Sequence, residues 1–138
     1  SQLDRFLMRL SLGYPSRLAE KQLLQQDARQ TMISTLQAVF KSEDILQLQQ
    51  WVRQIYLSDA VLEYLLDLTE ETRKGRHGLS TRGVLALKLA AQAHALISKR
   101  SFATLDDVQA VFVAVASHRI GLGEAETRLL MQQVEAKG

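Results

Sequence analysis

Residues 80–99, STRGVLALKLAAQAHALISK, decide the fold class. The stretch holds no proline. Val84, Leu85, Leu87, Leu89, Ala90, Ala91, Ala93, Leu96 and Ile97 put apolar groups on almost every side of a helix wheel. A helix that is apolar all round belongs in the middle of a bundle. Ser80 or Thr81 stands where an N-cap is needed, so the helix is expected to run from there to about Lys99.

Working outward, helix signals recur. Thr104 with Asp107 three residues on has the form of a capping box, with aspartate in place of the usual glutamate or glutamine. Leu105, Val108, Val111, Phe112 and Val115 follow at helical spacing until Ile120-Gly121-Leu122-Gly123 breaks the pattern, and a more polar helix spans Glu124 to about Ala136. Upstream, Ser58 and Asp59 open a helix whose face is Val61, Leu62, Leu65, Leu66 and Leu68, with Gly75 as its C′ stop. Ser42-Glu43-Asp44 opens another, with Ile45, Leu48, Trp51, Val52 and Ile55 on one side; Trp51 and Tyr56 are read as core or bundle-edge aromatics. Residues 25–35 carry a weakly amphipathic helical pattern, and Ser16 caps a helix reaching about Gln26. One segment departs from this period. Residues 6–14, FLMRLSLGY, alternate with a period near two and read as a short strand. A lone strand cannot satisfy its own ladder, so its partners are expected outside this chain.

Composition agrees with an all-α domain. Apolar residues make up 46% of 138, a globular share, and a single proline, Pro15, leaves long runs without a breaker. Cysteine is absent, which excludes a disulfide scaffold and thiolate-bound zinc. The net charge of +2 does not by itself call for nucleic acid. No apolar run approaches the roughly 20 residues of a membrane span, and no signal sequence opens the chain, so the cytoplasm is the default compartment. Because Ser1 starts inside a patterned segment, the chain reads as a piece of a longer protein.

Arg82 is the residue with most chemical promise. A helix N-terminus carries partial positive charge and unpaired N–H groups, so an arginine there is locally the wrong sign. An anion at that helix end reverses the sign and gives the guanidinium a partner for its bidentate fork. Arg73, Lys74, Arg76 and His77 lie in the loop just before it. The competing reading is a solvated basic loop. His94 reads as a packed or boundary histidine, and Asp67, Glu70 and Glu71 as a solvated acidic face. No histidine has an acidic companion at metal-binding spacing, so no metal site is expected. There is no nucleophile–base pair and no glycine-rich loop ending in Lys-Ser/Thr.

Several of these elements in order resemble one family. Leu79-Ser80-Thr81-Arg82-Gly83, the Ala/Leu helix, and then Lys99-Arg100-Ser101-Phe102-Ala103-Thr104-Leu105-Asp106-Asp107-Val108 are similar to the lid of MoxR-family AAA+ ATPases. His118-Arg119 resembles the pair that closes the next helix in that family. Ser1-Gln2-Leu3-Asp4-Arg5-Phe6 and Gly13-Tyr14-Pro15-Ser16-Arg17 resemble its segments around the last core strand, and Ser58-Asp59-Ala60-Val61-Leu62 its entry to the lid. The likeness runs from residue 1 to about residue 120.

The resemblance implies a division into a remnant of the AAA+ core (1–14), connector helices (15–57) and a lid of about four helices (58–138). It implies that Arg82 is a sensor 2 residue that meets the γ-phosphate of ATP and that Arg5 is an arginine finger reaching a neighbouring subunit. A local Arg5–Asp4 ion pair is the alternative for Arg5, and at Arg119 the helix dipole alone accounts for a basic residue. The intact protein would bind ATP and Mg²⁺, assemble as a ring, commonly a hexamer, and act as a chaperone-like remodeler beside a von Willebrand factor A-domain partner. This chain alone lacks the Walker motifs, so it is expected to be inactive and to hold no cofactor. The alternative is a stand-alone helical module, either a helix-turn-helix DNA binder or a protein adaptor. The basic loop favours DNA; a following helix that is apolar on almost every side opposes it, because a recognition helix has to show a polar face to base edges.

Overall fold

The computed structural model describes residues 2–25, 33–75 and 77–137. Among the described residues a 3-10 turn at Gln2–Arg5 is followed by the α-helices α1 (Arg17–Gln25), α2 (Ser42–Gln54), α3 (Asp59–Arg73), α4 (Thr81–Ile97), α5 (Leu105–Ile120) and α6 (Glu124–Lys137). The expected all-α class holds. The chain forms two units, one of residues 1–10 with 48–138 and one of residues 11–47.

In the smaller unit, Ser16 Oγ accepts the Ala19 N–H at 3.2 Å and so starts α1 as expected. The Asp44 carboxylate accepts the Lys41 N–H at 2.8 Å, capping α2 from its first turn. Most of the helical pattern expected over residues 25–35 lies outside the described residues.

The larger unit holds the core. Ser58 Oγ accepts the Val61 N–H, and α3 buries Val61, Tyr64, Leu65 and Leu68. Tyr64 takes the place expected for Leu62 and Leu66, which are 39% and 50% exposed. Gly75 has φ +63, the left-handed geometry expected of a C′ glycine. Gly78 is obligatory for a different reason. A Cβ there would lie 2.7 Å from the Arg73 Cα and 2.8 Å from its N, so the loop can turn back only over a bare backbone. Thr72 Oγ1 then accepts the Leu79 N–H at 3.1 Å, Arg73 Nε donates to the Leu79 carbonyl at 2.9 Å, and Leu79 is buried. This short clasp fixes where α4 begins.

The centre of the bundle is α5, not α4. Val108, Phe112, Val115 and Ala116 are fully buried, and α5 packs against α3, α4 and α6. Helix α4 buries Gly83, Leu87, Ala90, Ala91, Gln92 and Ala95 but leaves Leu85 59%, Leu89 38% and Ile97 80% exposed. The reason is size. Apart from Leu87 and Gln92, the residues it buries are small ones, Gly83, Ala90, Ala91 and Ala95, while Leu85, Leu89 and Ile97 stay exposed. Trp51 and Tyr56 are also exposed rather than core aromatics. Tyr56 contributes its backbone instead: its N–H donates to Ser101 O at 3.0 Å, and its carbonyl accepts from Ala103 N at 2.8 Å.

The strand expected over residues 6–14 is not formed. Among the described residues no ladder partner lies beside it, and its first half is bonded to α5 instead. The Phe6 carbonyl accepts from His118 Nε2 at 2.9 Å, and the Arg9 N–H donates to the Ala114 carbonyl at 2.9 Å.

The start of α5 carries a buried polar knot. Asp107 caps the helix by accepting the Thr104 N–H at 2.7 Å, so the aspartate form of the capping box works. The same fully buried carboxylate takes both Nη atoms of Arg100 at 2.6 Å and His94 Nδ1 at 2.7 Å. The Arg100 guanidinium first, then His94 and Thr104, holds the Asp107 carboxyl well below the usual carboxylate range, against the upward pull of burial. A carboxylate held down in the folded state adds stability that is complete above its unfolded value of ~4 and is withdrawn progressively as pH falls below that toward the folded value. Asp107→Asn is therefore expected to cost about 3–5 kcal/mol at pH 5, with the gap to wild type narrowing at pH 3. Urea unfolding at the two pH values measures this, and an equal gap at both would contradict it.

Gly83 yields a second expectation. Alanine in place of a helical glycine ordinarily gains up to about 1 kcal/mol. Here a Cβ would meet Leu79 Cδ2 at 3.0 Å and Arg119 Cδ at 3.1 Å. Gly83→Ala should give no gain or a loss in thermal unfolding; a full gain would show that the Arg119 stem is not seated there.

Candidate functional site

The N-terminus of α4 is built from the clasp upward. With Leu79 held by Thr72 and Arg73, Ser80 adopts extended geometry and its Oγ accepts the Gly83 N–H at 3.1 Å. Arg82, one residue inside the helix, projects outward with 63% of its side chain exposed. Gly83 faces inward, and the absence of its Cβ leaves room for the aliphatic stem of Arg119 arriving from the end of α5. Ser-Thr-Arg-Gly is thus a cap, a turn of helix, an outward cation and an inward gap.

Arg119 is where the structure departs most from the sequence reading. Its side chain is only 2% exposed, and its guanidinium is used for bonding, not for simple dipole compensation. Nη1 donates to the Leu7 carbonyl at 2.9 Å and to the Val115 carbonyl; Nη2 donates to the Asp4 carbonyl at 3.2 Å. Nε donates to Asp4 Oδ1 at 3.3 Å. Burial pulls the guanidinium below its ordinary value and the Asp4 carboxylate opposes that pull; an arginine remains a cation through such shifts. The signal that could have revealed this was an arginine one residue before the apolar Ile120 that ends a largely apolar helix, with a glycine at the opposing helix start.

Asp4 joins the parts. Its carboxylate accepts from Ser80 Oγ at 2.9 and 3.0 Å, pairs with Arg119 at 3.3 Å and lies 3.7 Å from Arg82 Nη1. The Asp4–Arg5 ion pair considered above does not form, because Asp4 is turned toward the bundle. Arg5 is exposed at the end of the 3-10 turn, and among the described residues it makes no ion pair. The two candidate arginines therefore flank one carboxylate, Arg5 by adjacency in the chain and Arg82 by charge.

The remaining candidates fall away from this centre. In the basic loop, Arg73 is spent on the Leu79 carbonyl and Lys74 pairs with Glu71 at 2.6 Å; Arg76 lies outside the described residues. A patch of free cations for DNA is thus not what the described part of the loop presents. His94 is a boundary histidine, 42% exposed and bonded to Asp107. Among the described residues no group of three metal-ligating side chains occurs, and no helix is long and apolar enough to cross a membrane.

Comparison with known proteins bears on the fold and the family. Residues 68–136 match the model of the AAA lid domain family, which takes in α4, α5 and most of α6 with the end of α3. The chain is 37% identical over 125 residues to the uncharacterized protein YeaC of Bacillus subtilis strain 168, covering 88% of this chain and 39% of that protein. It is 27% identical over 136 residues to the chaperone MoxR1 of Mycobacterium tuberculosis H37Rv, covering 88% and 35%. The chain thus spans well under half the length of these relatives. A crystal structure of a presumed ATPase from Cytophaga hutchinsonii superposes with a TM-score of 0.80 over 99% of this chain and 47% of the other, at 24% identity, a likeness of fold. With the family model matched across its central helices and a MoxR chaperone among its relatives, the chain belongs to the AAA lid domain family and is a MoxR-like AAA+ lid region.

Proposed function

We propose that this lid contributes Arg82, as a sensor 2 residue, to an ATP site whose other walls belong to an AAA+ core. The observation that carries the reading is an outward arginine, 63% exposed, one residue inside a capped helix start, with its only ion-pair carboxylate among the described residues as far as 3.7 Å away. A guanidinium so placed is free to swing its planar fork onto a phosphate, and the helix end adds favourable charge to the same anion. ATP held by the core supplies the charged γ-phosphate. Arg82 would bind it, orient it and report its loss by releasing the lid. The residues fit a phosphate rather than a metal: the side chains at this end offer cations and one engaged carboxylate. In this reading Mg²⁺ is held by the core.

Arg5 is proposed as an arginine finger acting on a neighbouring subunit. Its exposure and its freedom from Asp4 support this. Such a role requires a ring, and a hexamer is the form that resemblance to MoxR proteins suggests. Chaperone-like remodelling of a protein partner, with a von Willebrand factor A-domain protein as the partner class, is the output that the same resemblance suggests. The helix-turn-helix and adaptor readings gain no support from the charge pattern of the loop.

Two experiments test these roles in the full-length protein. Arg82→Ala should lower ATP turnover on the order of 100-fold, the scale of removing one group that stabilises transition-state charge; turnover equal to wild type would remove Arg82 from the site. Arg5→Ala subunits, inactive alone, should regain turnover when mixed with subunits whose phosphate loop is disabled, because each supplies what the other lacks. Absence of any recovery would contradict a finger acting in trans.

A further inference from the structure

Arg119 and Asp4 have no part in the function as stated so far, yet they form the most completely engaged polar pair at this end of the bundle. We propose that the Asp4–Arg119 pair is a positioning device that mounts Arg5 and Arg82 on one rigid base, so that the cis and trans phosphate contacts are set together. The inference rests on the reading of Arg82 given above and goes beyond it by assigning work to two residues that touch no nucleotide.

The geometry carries this in three steps. Arg119 is anchored first: its stem lies over Gly83 and one Nη atom bonds the Val115 carbonyl of its own helix, so the guanidinium is fixed to both α4 and α5. It then takes hold of the 3-10 turn, through the Asp4 carbonyl, the Asp4 carboxylate and the Leu7 carbonyl, and His118 adds the Phe6 carbonyl. Four donor atoms of two adjacent residues, His118 and Arg119, thereby hold the chain on both sides of Arg5. Finally, the Asp4 carboxylate returns to the start of α4, accepting from the capping Ser80 and standing 3.7 Å from Arg82. The pull on Arg82 is the weakest link, and that is what positioning requires. A tight bidentate pair would sequester the guanidinium, and no carboxylate at all would leave a long side chain to sample its rotamers.

The chemistry also explains why a buried cation is tolerated. Taking a guanidinium out of water is costly unless its donors are satisfied and a counter-charge is near. Arg119 has three carbonyls and one carboxylate, so the expense is met by holding the turn in place. Disturb Asp4 and Arg119 loses its counter-charge while Arg82 loses its guide.

The test is a kinetic cycle in the full-length protein: wild type, Asp4→Asn, Arg82→Ala and the double variant, each measured for kcat and KM for ATP together with its thermal midpoint. Asparagine keeps the shape and can still accept from Ser80. Asp4→Asn should lower kcat about 10-fold or more, as a misplacement near 1 Å can, and by a clearly smaller factor when Arg82 is already alanine, since only the Arg5 contact is then left to misplace. Independent, multiplying losses in the double variant would overturn the proposal and leave the role of Arg82 standing. A wild-type rate for Arg82→Ala alone would overturn the role of Arg82 itself, so the two failures are distinguishable. A lower KM with unchanged kcat in Asp4→Asn would show that Asp4 competes with phosphate instead of guiding Arg82, and would also overturn it. Should Asp4→Asn fold poorly, Arg119→Lys serves in the same cycle, since it keeps the charge but loses the fork, and the same criterion of non-additivity with Arg82→Ala applies.

Discussion

A guanidinium buried to 2% exposure at the end of a helix is the constraint on which this lid region depends. Such a group has to be supplied with acceptors, and the chain supplies them from residues more than a hundred positions away. The Arg119 donors reach Asp4 and Leu7, so the first turn of the chain is fastened to the last part of α5. Around this fastening the other features become necessary. Gly83 has to be small, Ser80 has to cap, and Asp4 has to face the bundle and not its neighbour Arg5. The outward posture of Arg82 follows from the same packing, because the inward side of that helix turn is already filled.

A second polar knot works at the opposite end of α4. Asp107 gathers Arg100, His94 and Thr104 around one fully buried carboxylate and joins α4 to the start of α5. Between the two knots Leu87, Ala90 and Ala91 of α4 share one buried cluster with Val108, Val111, Phe112 and Val115 of α5. The polar groups set register and ends, and the apolar contact supplies the driving force. An arrangement pinned at both ends ties α4 and α5 together as one unit.

What could be read from the sequence was local. Ser16, Ser58, Ser80, the Thr104–Asp107 box and the Gly121 stop act over three or four residues, and each is found where its motif stands. The position of Arg82 at a helix start was legible for the same reason. Facing was not. An Ala/Leu helix looks equally apolar on all sides in one dimension, and only the packing against α5 shows that the alanines go in and Leu85 and Ile97 stay out. The alternating pattern of residues 6–14 was read as a strand because period two is the strand signal, but that signal gives no information about whether a ladder partner is present. The role of Arg119 was hidden most deeply. A basic residue near a helix C-terminus has a sufficient local explanation, and its actual partners lie at the far end of the chain.

The most direct measurement is a structure of the full-length protein with a non-hydrolysable ATP analogue bound. The account places a guanidinium nitrogen of Arg82 within hydrogen-bonding reach of a γ-phosphate oxygen, about 2.7–2.9 Å, with the Asp4–Arg119 contact intact behind it. An Arg82 still turned to solvent, or a γ-phosphate met by some other residue of the lid, would contradict it.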